Sequence, residues 1–307
     1  MRIGALGERA WCLPVLFRLW RPTPKPTRQN PQPKRRPSQP ELAAILVGKV
    51  AERFPERQID VVGDAAFACR AMAPASERTT LTSRLRCNAV IHAPKPPRTG
   101  KRGRPSVRGP RLGNPGEIAA AATPGEWQRV EVAGRGEAVA LAVTGLWYSV
   151  FGSRPVQVVI VREPGDTDGY RIALVSTDLA ASPAEIVARY AERWSIEVAF
   201  QDAKQTLGVG QARNRVCRAV ERTVPFGFLC QTIAVAWYAL NADPAADVDR
   251  RRRIAPWYAQ KRDPSMLDVV AALRRELIRA EFQAQAGRGR SPRQFATRPE
   301  PRLRAVA

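Results

Sequence analysis

Histidine is almost absent from this chain. His92 is the only one among 307 residues, which argues against a histidine-built zinc site and against a histidine-dependent catalytic triad. Cysteine is scarce and scattered: Cys12, Cys69, Cys87, Cys217 and Cys230 form no C-x-x-C. An odd, dispersed set of five reads as reduced thiols of a cytoplasmic protein, not as a disulfide framework. Residues 1–14 make no convincing secretory signal, because charges interrupt their apolar part. Long hydrophobic runs are missing too. The longest, 226–240, is short for a bilayer and contains Gln231 and Thr232, so it is expected to be a buried helix, with no membrane partner. Acidic residues are the last deficit, since 28 Asp plus Glu face 50 Lys plus Arg and leave a net charge of +22. That excess favours a polyanionic partner, nucleic acid above all, because neutralising phosphates releases their counterions.

What is present is organised around residues 182–208, SPAEIVARYAERWSIEVAFQDAKQTLG. Ser182 with Glu185 three residues on makes a capping box, Pro183 suits the first turn, and Gly208 supplies a stop. One helix is therefore expected over the whole stretch. Tyr190, Arg193, Glu197 and Lys204 follow one another at steps of 3, 4 and 7, and each such step returns to nearly the same helix face. An ion-paired surface helix would carry the same stripe, with Arg193 and Glu197 as its i,i+4 pair.

The pattern Tyr190-x2-Arg193-x3-Glu197-x6-Lys204 resembles, without a gap, the Y-x2-R-x3-E-x6-K signature of DDE transposases of bacterial insertion sequences. The flanking RYAERWSIEVAFQDAKQTLGVGQAR is similar to that group as well, and the resemblance extends over most of the chain. It implies a ribonuclease H-like α/β fold, a mixed sheet flanked by helices with a β-rich insertion before the Glu-bearing helix. It also implies three carboxylates holding two Mg²⁺ ions, which activate the attacking oxygen and stabilise the leaving one in an in-line displacement. VVGDAAFACR resembles the segment with the second catalytic Asp. Asp64 is then the second carboxylate and Glu197 the third, both metal ligands, while Tyr190, Arg193 and Lys204 grip the terminal phosphates. A strand-ending Asp such as Asp64 is, on local grounds alone, equally a helix cap.

The first Asp of the set has no candidate. Asp60 is the one Asp before Asp64, and four residues along a strand is about 13 Å, too far to share a metal. Residues 11–22 correspond by resemblance to the family's third strand, so the expectation is a transposase truncated at the N-terminus, with its first strands missing and no strand cleavage by this polypeptide alone. Its partners are expected to be double-stranded DNA, the transposon's terminal inverted repeats and target DNA, met in the cytoplasm at the nucleoid, with the homodimer usual for such enzymes. A non-catalytic DNA-binding remnant that inhibits intact transposase is the alternative.

Four segments are expected. Residues 1–92 hold a strand over 11–20, a basic Pro-rich loop, a helix opened by Ser38 and Glu41 with Leu42, Ile45, Leu46 and Val50 inward, and the Asp64 strand leading into a helix. A strand resumes over 81–91, and residues 93–180 hold a basic loop and the β-rich stretch WQRVEVA, EAVALAV, LWYSVF, PVQVVIV and YRIALVS. Within the basic loop Arg102 and Arg104, in Arg-Gly-Arg-Pro, match either the core of an A·T minor-groove hook or a basic loop on phosphates. Trp147 and Tyr148 are core residues or a stacking platform for an unpaired base, and Asp178 reads as a turn residue. Residues 181–245 complete the core, and 246–307, with the four-Arg run 250–253, form a basic C-terminal helix and tail.

Overall fold

The computed structural model describes residues 6–7, 9–97, 106–132 and 136–286. The chain divides into two compact units, Leu16–Val198 and Met1–Val15 with Ala199–Ala307.

In the first unit, helix α1 (Gln39–Arg53) opens on the expected capping box: Ser38 Oγ accepts from the Glu41 N–H while the Glu41 carboxylate accepts from the Ser38 N–H. The face that packs on the core, only partly buried, is rotated from the one its larger residues mark. Ala43, Ala44 and Val47 pack on the core and Ile45 is exposed, since small side chains let the helix backbone approach closely. Strand β1 (Ile59–Gly63) follows. The helix expected after it is replaced by a tight turn and a single 3-10 turn, Arg70–Met72. Asp64 starts that turn by accepting the Ala66 N–H on Oδ1 at 2.8 Å, the local bond with which Asp competes against helix. Phe67 folds back so closely that a Cβ on Gly63 would lie 2.7 Å from the Phe67 Cβ, so this position needs glycine. The crossover then returns as β2 (Thr79–Arg84), parallel to β1.

The strand expected over 81–91 is interrupted after Arg84. Strands β3 (Ile91–His92) and β4 (Arg111–Gly113) form a separate two-stranded sheet, and α2 (Pro115–Ala121) is capped by Asn114 with Glu117. Then come β5 (Trp127–Val132) and β6 (Gly136–Gly145). Residues 146–151, expected as strand, instead bury Trp147 and turn through the short helix α3 (Tyr148–Phe151), where the Trp147 and Phe151 rings meet edge-on at 5.8 Å. Strands β7 (Val156–Arg162) and β8 (Ile172–Ser176) complete the set.

The main sheet has six strands in the order β1-β2-β8-β7-β6-β5, parallel at β1/β2 and antiparallel elsewhere. The β-rich stretch expected as an insertion is therefore a continuation of the same sheet, joined through Thr82 opposite Ser176. Near-continuous burial along β2, β7 and β8 is what strands covered on both faces require. On one face Leu81, Val158, Ile160 and Val175 pack beneath α1 and α2. On the other, helix α4 (Pro183–Glu192) crosses the sheet and touches all six strands, seating Ile186 and Val187 among Val130, Val159 and Leu174. This is a six-stranded mixed sheet flanked by helices, the α/β class expected and consistent with a ribonuclease H-like fold. β1 is an edge strand, and among the described residues no strand pairs with its outer side.

Helix α5 (Ser195–Gln205) contains the boundary between the units. In the second unit α6 (Cys217–Asn241), α7 (Pro244–Ile254) and α8 (Met266–Ala286) enclose a core of Leu6, Trp11, Val235, Tyr238, Met266 and Val269. No strand forms over 11–20. Trp11 is instead buried among helices, the Arg9 guanidinium lies 4.5 Å over its ring, and the Pro14 carbonyl accepts from Thr232 Oγ1 at 2.6 Å. Helix α6 contains the run 226–240, expected as a buried helix. It is long and apolar enough to cross a membrane by length and composition, yet it buries one face, Gln231 and Tyr238 included, in this unit's core and leaves Phe226, Leu229, Ile233 and Leu240 exposed.

Candidate functional site

The capping box at Ser182 and Glu185 and the left-handed stop at Gly208 (φ +66°) are both present, but the helix between them is broken. Arg193 and Trp194 separate α4 from α5. Through the break the N–H groups of Arg193, Trp194, Ile196 and Glu197 bond to carbonyls three residues back, Tyr190, Ala191, Arg193 and Trp194. Such i→i−3 bonds tighten the winding and mark a kink. Periodicity alone cannot show it, because every residue concerned tolerates helical angles.

Arg193 sits at this kink, holding the i,i+4 ion pair with Glu197 at 2.9 Å (Nη1 to Oε1), with its guanidinium carbon 5.6 Å from the centre of the Tyr190 ring. Its Nε is buried and has no hydrogen-bond partner among the described residues. Tyr190 packs its ring against the α4 side of the sheet core. Tyr190, Arg193 and Glu197 are thus brought together. Lys204 is exposed in the last turn of α5, and it carries no ion pair among the described residues. It lies beyond the unit boundary at Val198.

Asp64 is placed at the C-terminal end of β1, where open α/β sheets present ligand-binding groups. Its carboxylate is exposed and holds the Ala66 N–H, while its backbone carbonyl accepts from Ser83 Oγ on the neighbouring strand at 2.6 Å. Among the described residues Asp64 and Glu197 share no hydrogen-bond or ion-pair partner. Among the described residues no group of three or more His, Cys, Asp or Glu is placed to hold a metal ion. Mg²⁺ takes oxygen ligands from converging carboxylates, so the two-Mg²⁺ centre that the resemblance implies does not fit the described residues as they stand. Arg102 and Arg104 lie outside the described residues.

The sequence places Asp178 in a turn but does not show the ion-pair cluster that it forms with Arg189 and Asp60. Asp178 does hold its turn, accepting the N–H groups of Ala180 and Ala181 on Oδ1. Its other oxygen receives Arg189 Nη1 at 2.7 Å, and the same nitrogen lies 3.6 Å from Asp60 Oδ1, which also accepts from Thr80 Oγ1 at 2.6 Å. Arg189 belongs to α4, Asp60 and Thr80 to the paired strands β1 and β2, and Asp178 to the turn after β8. The cluster therefore pins α4, and with it Tyr190 and Arg193, to the edge of the sheet that carries Asp64. The available signal was small: Arg189 one residue before Tyr190, and an Asp pair far apart in sequence.

Burial opposes the charge on Asp178, but the Arg189 guanidinium and the two backbone N–H groups outweigh it and hold the carboxyl below the usual range. A carboxyl depressed by folding stabilises the fold above its unfolded pKa, and that contribution is lost as pH falls through the depressed value. Urea midpoints compared at about pH 7 and about pH 3 should therefore show acid destabilisation in the wild type that is smaller in Asp178→Asn. The difference should be on the order of 1 kcal/mol, discounted for the partial exposure of the pair. An equal acid loss in both proteins would deny Asp178 that role.

A comparison with curated proteins gave no match. Residues 3–142, just under half of the chain and including Asp64, match the model of a family described as DDE superfamily endonuclease, which supports a DDE-type endonuclease or transposase family for that part of the chain.

Proposed function

We propose that this protein is a transposase-type DNA-binding polypeptide that acts on double-stranded DNA at the terminal inverted repeats of a transposon. In this reading Tyr190, Arg193 and Lys204 contact terminal phosphates, and Asp64 and Glu197 are two carboxylates of a Mg²⁺ set that the described residues do not complete. The observation that carries it is the match of residues 3–142 to the DDE superfamily endonuclease model. The Tyr-Arg-Glu-Lys pattern lies outside that match and supports the same reading independently.

The chemistry is direct. Arg193 offers a planar fork, 22% exposed as a side chain, whose geometry suits a bidentate contact with phosphate oxygens. Lys204 presents a point charge with no ion-pair partner among the described residues. The net charge of +22 draws DNA to the protein without regard to sequence. Strand cleavage needs hard cations held by several oxygens, and no step through a metal is derived from a set that does not converge.

Binding and nicking of a labelled transposon-end duplex separate the possibilities. The expected result is duplex binding in the absence of divalent ions and no nicking when Mg²⁺ or Mn²⁺ is added. Metal-dependent nicking that disappears in Glu197→Ala would overturn the loss of cleavage while keeping the family reading. Absence of duplex binding at low salt would overturn the DNA-binding reading itself.

A further inference from the structure

The four-Arg run of α7 is not uniform in the structure. Arg251 Nε donates to Asp268 at 2.8 Å, and Arg252 donates to Asp249 at 3.0 Å and to the Lys261 carbonyl at 2.9 Å. Those two are consumed internally. Arg250 and Arg253 are exposed and form no ion pair among the described residues, and the same is true of Arg262 further on.

The bond from Arg252 to the Lys261 carbonyl closes the segment between them, which is further ordered by Tyr258 N–H to Ala255 O and Lys261 N–H to Tyr258 O, both 2.9 Å. At its tip the 3-10 turn Pro256–Tyr258 presents Trp257 at 78% and Tyr258 at 55% exposure, with ring centres 6.3 Å apart. Two large aromatic faces are thus held out in water by a loop braced by these bonds. Three uncompensated guanidinium groups flank them in the chain.

We infer that Trp257 and Tyr258, with Arg250, Arg253 and Arg262, form a binding surface for single-stranded DNA, on which unpaired bases stack while the arginines take the adjoining phosphates. The inference rests on the reading that this protein binds DNA and names a second class of substrate for it. Aromatic faces are open to any base that has left the helix, whereas bases inside a duplex offer no free face. Charge selects the occupant. A second copy of the chain would bring the same uncompensated arginines against these, and a polyanion would neutralise them.

Fluorescence anisotropy with a labelled oligothymidine, alongside a blunt duplex of the same length, tests it. Trp257→Ala should weaken oligothymidine binding by about tenfold, the scale of one lost stacking contact, and should leave duplex binding within about twofold. Trp257→Phe, which keeps an aromatic face, should restore most of the loss. Arg250→Ala with Arg253→Ala should flatten the salt dependence of oligothymidine binding by about 1.4 in log–log slope. Unchanged oligothymidine affinity in Trp257→Ala overturns the inference. If sedimentation then shows that this variant loses self-association, the patch is an interface between copies. Wild-type protein that binds neither probe overturns the underlying DNA-binding reading instead.

Discussion

Raising the salt from about 50 to about 200 mM should weaken duplex binding about a thousandfold, the loss expected when roughly six phosphates are neutralised. The excess of 50 basic over 28 acidic residues makes counterion release the main source of affinity, so the slope of log affinity against log salt measures how many cations reach phosphate. Arg193→Ala with Lys204→Ala should reduce that slope by about 1.8, at about 0.9 per phosphate. Arg193 enters the test with an acidic partner already in place, Glu197 at 2.9 Å. Glu197→Gln should therefore strengthen duplex binding, because it frees the guanidinium and removes a like charge to the DNA. A flat salt dependence, or a slope unmoved by the double substitution, would remove Arg193 and Lys204 from the DNA contact.

Ile186→Ala should destabilise the sheet-bearing unit by about 3 kcal/mol, within the range for deleting a large buried aliphatic side chain. Ile186 is completely buried where α4 crosses the sheet, among Val130, Val159 and Leu174, and rigid strands beneath it have little freedom to close the cavity. The control is Ile196→Ala on α5, which is 41% exposed and should change stability by less than about 0.5 kcal/mol. Urea unfolding of both variants checks the pair. Similar losses at the two positions would mean that α4 is not the clamp the packing indicates. If α4 is that clamp, Ile186→Ala should also weaken duplex binding, since Tyr190 and Arg193 are carried on the same helix and its kink.

Features confined to a few consecutive residues were legible in advance. The capping boxes at Ser38–Glu41 and Ser182–Glu185, the stop at Gly208, and the strands containing Val130, Val143, Val158 and Leu174 all form where the residue pattern puts them. Each depends on hydrogen bonds spanning three or four residues, or on side-chain alternation along one strand, so the local sequence contains the whole cause. The Tyr190, Arg193 and Glu197 grouping was legible for the same reason, since Arg193 to Glu197 is one helical turn.

Causes that act across space were not legible. The β-rich stretch is expected from resemblance as an insertion, and only the pairing of Thr82 with Ser176 makes it part of the main sheet. Trp11 and Trp147 sit in runs that look extended, but each side chain is drawn into a core built by distant residues, Trp11 by α6 and α8 and Trp147 by Ile91 and Val156 among others. Four consecutive arginines are chemically identical in sequence. Asp268, Asp249 and the Lys261 carbonyl take two of them and leave Arg250 and Arg253 without an ion pair among the described residues. The sequence by itself determined the caps, the strands, the excess positive charge and the Tyr-Arg-Glu-Lys spacing, because bonding within a turn and net charge are local or additive. The tertiary structure alone decided the strand order, the kink at Arg193, the Asp60–Arg189–Asp178 clamp and which charges remain free, because each depends on what distant segments bring within hydrogen-bond reach.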